Sequence, residues 1–159
     1  MRKLLTVSVA LAGLAGGYVW MSSSERAVSS EHDSNLVRDR VWIDHMPRGE
    51  KDKINVFIAL SQRPRQPPLG IFEQVSMWEG HFEAFTYEQH GEEWRIVLPQ
   101  SGDRETLTIK ASRCSEAGMD FCLEVKGASR GPTRYYSRKG WEVRSREQAE
   151  ALSTQLLAK

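Results

Sequence analysis

Three side chains that could bind a metal ion or exchange protons recur at alternate positions in the stretch EGHFE. Glu79, His81 and Glu83 would lie on one face of a strand, because successive strand side chains point to opposite faces. Carboxylate and imidazole groups on one face suit a hydrolytic metal site. The alternative is a solvent-exposed face, with Phe82 and Ala84 pointing inward. A metal-assisted hydrolase is therefore the last of three functional hypotheses.

The two cysteines, Cys114 and Cys122, flank a short polar loop at residues 115–120. Side chains alternate between the two faces of a strand, and this alternation places both cysteine side chains on the outer face of two adjacent antiparallel strands. Opposed positions on such strands bring Cβ atoms to about 4.5–5.5 Å, close to the separation that a disulfide needs. Zinc would require two more ligands, and a redox pair would usually be CxxC. We expect a structural disulfide.

Charge and motifs exclude several classes of function. The 22 Lys and Arg residues nearly balance the 21 Asp and Glu residues, so no overall positive field would attract nucleic acid. The sequence contains no Gly-rich phosphate loop, no Gly-x-Ser-x-Gly and no His-Glu-x-x-His. We expect no cofactor, no nucleic-acid partner and, on balance, no enzymatic activity.

The first 21 residues resemble an export signal. Arg2 and Lys3 precede an apolar run of 18 residues, Leu4 to Met21, which is also just long enough to span a bilayer as a helix. A cleaved signal peptide and an uncleaved anchor both remain open, and either one places the remainder on the periplasmic side of the cell envelope. The Ser-rich residues 22–34 read as a flexible linker.

The body of the chain, residues 35–159, alternates with period two and is interrupted by turn residues every 8–12 positions or so. The clearest example is ETLTIKASRC, which places Leu107, Ile109 and Ala111 on one face. The fold class is therefore all-β, with about eight strands in an antiparallel up-and-down barrel. Residues 145–158 form a C-terminal amphipathic helix, because Ser145 and Gln148 make a capping box.

This layout resembles the lipocalin-like (calycin) barrels, which bind small apolar ligands in the barrel mouth. That family carries Gly-x-Trp on its first strand and a late basic residue across the Trp. Trp42 and Arg138 occupy those positions here, whereas the glycine position holds Arg40. The stretches RVWIDHMPRGEKDKIN and RYYSRKGW also resemble uncharacterised envelope proteins of myxobacteria.

Aromatic side chains occupy both faces of several strands, which indicates either a filled barrel or an apolar binding site. The candidate ligand-binding residues are Trp42, Phe72, Trp78, Tyr135, Tyr136 and Arg138. The leading hypothesis is an exported, non-enzymatic binding or scaffold domain with a small apolar or lipid-like ligand. The alternative is a structural subunit that binds a partner protein in an envelope complex. Both are held at the membrane by the N-terminal segment or released from it.

Overall fold

The structure is a computed structural model that describes residues 34–65 and 67–158. The predicted N-terminal hydrophobic helix, 1–21, lies outside the described residues, as does the predicted linker up to residue 33. Among the described residues, no helix is both long enough and apolar enough to cross a membrane.

Eight antiparallel strands follow a single helical turn, and a longer helix ends the chain. The first helix, α1, is Ser34–Val37 and the second, α2, is Arg146–Leu157. The strands are β1 Val41–Ile43, β2 Ile54–Leu60, β3 Leu69–Val75, β4 Gly80–His90, β5 Glu93–Leu98, β6 Asp103–Arg113, β7 Phe121–Lys126 and β8 Arg134–Ser137. The predicted all-β class and the C-terminal helix are confirmed, whereas α1 was not predicted.

Each strand pairs with its neighbour in sequence, and β1 closes the sheet by pairing Ile43 with Tyr136 of β8. The predicted up-and-down antiparallel barrel is therefore confirmed. Alternate connections lie at alternate ends of such a barrel. We call the end that holds α1, the β2–β3 loop and the segment 138–145 the N-terminal end. The opposite end holds the β1–β2, β3–β4, β5–β6 and β7–β8 connections.

The C-terminal helix covers the outside of the barrel rather than one of its ends. Strand β2 is buried on both faces, as its apolar residues at both odd and even positions predict. Its outward residues Ile54, Val56 and Ile58 form a second core with Ala149 and Leu156 of α2. Ser145 caps α2 by accepting a hydrogen bond from the Gln148 backbone N–H at 3.3 Å. The Gln148 side chain accepts a hydrogen bond from the backbone N–H of Arg144 at 2.7 Å. In a standard capping box it would accept from the N–H of Ser145, so the second bond of the predicted box is shifted by one residue.

Candidate functional site

Aromatic rings fill the interior of the barrel. The ring of Phe57 lies 5.3 Å from Phe72, 5.9 Å from Phe85 and 5.9 Å from Tyr135, measured between centroids. Phe72 and Phe85 also contact each other at 4.9 Å. At the N-terminal end, Trp42 is fully buried and its Nε1 donates to the Val37 carbonyl at 3.0 Å, so α1 covers that end of the core. The barrel interior is therefore a packed core around Phe57 and around Trp42.

The β7–β8 loop lies directly against this core at the opposite end. Gly131 has a φ of +71°, and a Cβ built on it would lie 2.1 Å from the Tyr135 hydroxyl oxygen. Only glycine is compatible with both the backbone conformation and the close approach. Burial raises the pKa of Tyr135, so its hydroxyl stays protonated and cannot serve as a base.

Arg130, in the β7–β8 loop, joins β4 and β6 at the same end of the barrel. Its Nε lies 2.5 Å from Glu83, its Nη1 2.7 Å from Glu105 and its Nη2 3.0 Å from Asp103. Glu83 and Glu105 are only 15% and 13% exposed, and Ser101 donates to Glu83 at 3.1 Å. One guanidinium thus neutralises part of a carboxylate cluster that would otherwise repel itself.

The pKa shifts in this cluster follow from the ion pairs. The hydrogen bond from Arg130, and next the one from Ser101, lower the pKa of Asp103. The same contacts, that to Glu83 first, raise the pKa of Arg130. Both shifts favour the charged forms of Asp103 and Arg130, which suits a structural ion-pair cluster rather than proton exchange.

The predicted metal ligands do not converge. Glu79 precedes β4 and pairs with Lys53 at 2.7 Å, which lowers the pKa of Glu79, whereas Glu83 belongs to the Arg130 cluster. His81 is exposed. Across residues 34–65 and 67–158, no group of three or more His, Cys, Asp or Glu side chains is arranged to hold a metal ion.

The register of β4 also contradicts the alternative interpretation of EGHFE, in which Phe82 and Ala84 point inward. Register pairs Glu83 with Phe72, so Glu83 falls on the inner side of β4 together with Phe85. Phe82 consequently points outward, is 47% exposed and lies 5.3 Å from the Arg146 guanidinium of α2. The expectation that Phe82 and Ala84 point inward is wrong, because pairing with β3 fixes the opposite parity.

The β3–β4 connection exposes large apolar side chains on an ordered turn. Ser76 is buried, its N–H donates to the Glu79 carbonyl at 2.8 Å, and its hydroxyl accepts from the N–H groups of Trp78 and Glu79. The Met77 N–H donates to the Glu50 carbonyl at 3.1 Å. Met77 is nevertheless 48% exposed and Trp78 69% exposed. We call Met77, Trp78 and Phe82 the β3–β4 tip.

The six predicted ligand-binding residues occupy four different places. Trp42, Phe72 and Tyr135 are interior core residues, while Tyr136 is half-buried in the outer core beside α2. Trp78 belongs to the β3–β4 tip. Arg138 lies at the N-terminal end, where its guanidinium is 5.9 Å from the Trp141 ring.

The predicted disulfide joins Cys114 and Cys122, with Cα atoms 5.7 Å apart. The detail of the pairing differs from the expectation of directly opposed positions. Cys122 is paired with Ser112, and the Cys114 N–H donates to the Asp120 carbonyl, so the two cysteines are diagonal neighbours. Both still lie on the same face, which is what permits the bond.

Sequence reasoning missed Arg130 and Ser76. The partners of Arg130 are 25 to 47 residues away on other strands, so no local spacing indicates them. Ser76 offered a weak signal, because Ser in front of a short turn often bonds to the backbone of the following residues. No family model, no curated protein and no solved structure matches this chain.

Proposed function

We propose that the chain is an exported, non-enzymatic docking domain of the bacterial cell envelope, and that the β3–β4 tip is its contact with a partner protein. The observation that carries the proposal is the exposure of Met77, Trp78 and Phe82 on one hairpin of a barrel whose interior is filled with rings.

The tip has the composition of the centre of a protein interface. Trp and Met are enriched in such centres, and charged groups form the rim. Lys53, Glu79 and Arg146 supply charges around the tip. The hydrogen bonds of Ser76 hold the turn before any partner arrives, so little conformational entropy is lost on binding.

The filled interior favours this function over a ligand in the barrel mouth. A pocket for a small apolar molecule usually has a volume of about 300 Å³ or more and is enclosed. Phe57, Phe72, Phe85 and Tyr135 instead contact one another across the interior. A cavity of about 430 Å³ lies along β4, β5 and β6 and is lined mostly by outward residues such as Arg95 and Val97.

The test is site-specific photo-crosslinking of the full chain in the source cells, with a benzophenone amino acid in place of Trp78. We expect one discrete protein adduct, identified by mass spectrometry, which is lost when Phe82→Ser is added. The matched control carries the same probe at Val97, which is 38% exposed on another part of the barrel. Equal adducts at both positions, or no adduct at Trp78, would contradict the proposal. A small apolar molecule retained in native mass spectrometry would instead support the barrel-ligand hypothesis.

A further inference from the structure

A second surface feature lies at the N-terminal end, away from the β3–β4 tip. It is a cavity of about 550 Å³ between α1, the β2–β3 loop and the segment 138–145. Its charged lining residues are Arg38, Asp39, Arg40, Arg63, Glu142 and Arg144. Four arginines and two carboxylates give it a net charge of +2, although the whole chain carries only +1.

Both carboxylates of the cavity are already bound to other groups. Asp39 accepts hydrogen bonds from the N–H of Ser61, at 2.8 Å, and from its hydroxyl. Glu142 pairs with Arg40, which also donates to the Arg138 carbonyl at 2.7 Å and lies over the Phe121 ring. Arg40, Asp39 and Glu142 therefore each have a partner within the chain.

The other three arginines, Arg38, Arg63 and Arg144, form no ion pair with any described residue of the chain. Arg63 and Arg144 are exposed. Arg38 is partly buried, its Nη2 donates to Asn35 at 2.9 Å, and its Nε is buried without a hydrogen-bond partner in the described part of the chain. A buried guanidinium donor without an acceptor is costly unless an anion supplies one.

Phosphate suits a cavity that three arginines line, because guanidinium groups pair with its oxygens through charge-assisted hydrogen bonds. The position of the cavity indicates where that phosphate would come from. The chain enters the described domain at Ser34, at this end of the barrel. If residues 1–21 are the uncleaved anchor, one of the two interpretations that the sequence allows, the 12 residues 22–33 hold the barrel within about 40 Å of the bilayer.

We propose that this cavity binds the phosphate of an anionic phospholipid headgroup and so orients the barrel with its N-terminal end toward the membrane and the β3–β4 tip away from it. The inference rests on the export segment of the proposed function but not on the partner at Trp78. The crosslinking experiment and the lipid experiment can therefore fail independently.

The test uses the full chain in detergent and native mass spectrometry after addition of equal amounts of phosphatidylglycerol and phosphatidylcholine. We expect preferential retention of phosphatidylglycerol. The variant Arg63→Gln/Arg144→Gln should weaken that retention about tenfold or more, since each basic residue near an anionic surface contributes substantially to binding. Both residues are exposed and form no ion pair within 4.0 Å with a described residue, so the variant should keep the melting temperature of the wild type.

The control Arg95→Gln/Arg104→Gln removes the same charge from exposed positions on β5 and β6 and should retain phosphatidylglycerol normally. If this control retained equally little phosphatidylglycerol, the lipid would be held by the overall charge of the chain rather than by the cavity, and the proposal would be overturned. A separate arm adds inorganic phosphate alone. If phosphate raises the melting temperature of the wild type but not of Arg63→Gln/Arg144→Gln, and neither lipid is preferred, the ligand is a soluble phosphate compound and the lipid assignment is wrong.

Discussion

The substitution Gly70→Ala tests whether the barrel interior is as full as the proposed function requires. Gly70 faces inward on β3, and a Cβ built on it would lie 2.0, 2.3 and 2.7 Å from three atoms of the Phe85 ring. Carbon atoms in contact are about 3.5–4.0 Å apart, so the ring must retreat by about 1.5 Å. It cannot do so freely, because it contacts Phe57, Phe72 and Tyr87.

The expected cost follows from two opposed effects. Overpacking of a filled core typically costs about 1–3 kcal/mol, and displacement of a whole ring belongs at the upper end of that range. Replacing a strand glycine returns about 0.5–1 kcal/mol. We therefore expect Gly70→Ala to lower the free energy of unfolding by about 2 kcal/mol, or the melting temperature by about 8 °C for a domain of this size.

The assay is urea unfolding followed by tryptophan fluorescence, since Trp42 and Trp94 are fully buried. The m value should stay constant while the midpoint falls. Gly49→Ala is the matched control, because nothing lies within 4 Å of the added Cβ; its effect should stay within about 0.5 kcal/mol.

A double-mutant cycle with Phe85→Leu separates overpacking from other causes. The smaller side chain makes room beside residue 70, so Gly70→Ala/Phe85→Leu should be more stable than the sum of the single effects by about 1 kcal/mol. If Gly70→Ala alone proves as stable as the wild type, the interior holds unfilled space. The filled-barrel reasoning would then be wrong, and a ligand in the barrel would become the better function.

Three further outcomes are expected. Cys114→Ser/Cys122→Ser should lose about 2.5 kcal/mol of stability, the chain-entropy value for a loop of 8 residues, and non-reducing peptide mapping of the wild type should show the linked pair. Arg130→Met should lower the free energy of unfolding by about 2–3 kcal/mol near pH 7, measured by urea unfolding, because Glu83 and Glu105 lose their cation. The pKa of Asp103 is lowered in the fold, so the wild type loses the Asp103–Arg130 ion pair as pH falls below about 4. The difference in stability between the wild type and the variant should therefore narrow at that pH. Glu73→Gln should raise the free energy of unfolding at pH 7 and lose that gain below about pH 4.5. The reason is that burial, and next the charge of Glu150, raise the pKa of Glu73 and so make its ionised form unfavourable in the folded state. An equal gain in stability at pH 3 would contradict this explanation.

Much of the fold could be predicted because strand faces are encoded locally. Alternation in β6 places Leu107, Ile109 and Ala111 in the core, and their burial confirms it. The disulfide and the C-terminal helix followed from similarly short-range signals, namely a loop of fixed length and a capping residue. The helical turn α1 was missed because its four residues carry little periodicity.

The sequence by itself determined the strand count, their order and the cysteine pairing, since each depends on residues close together in the chain. Only the tertiary structure decided which way β4 faces. Apolar residues occupy both parities of that strand, with Phe82 and Ala84 on one side and Phe85 and Tyr87 on the other, and the register with β3 chooses between them. The same register places Glu83 beside Arg130 and leaves Phe82 exposed on the outer face of the strand.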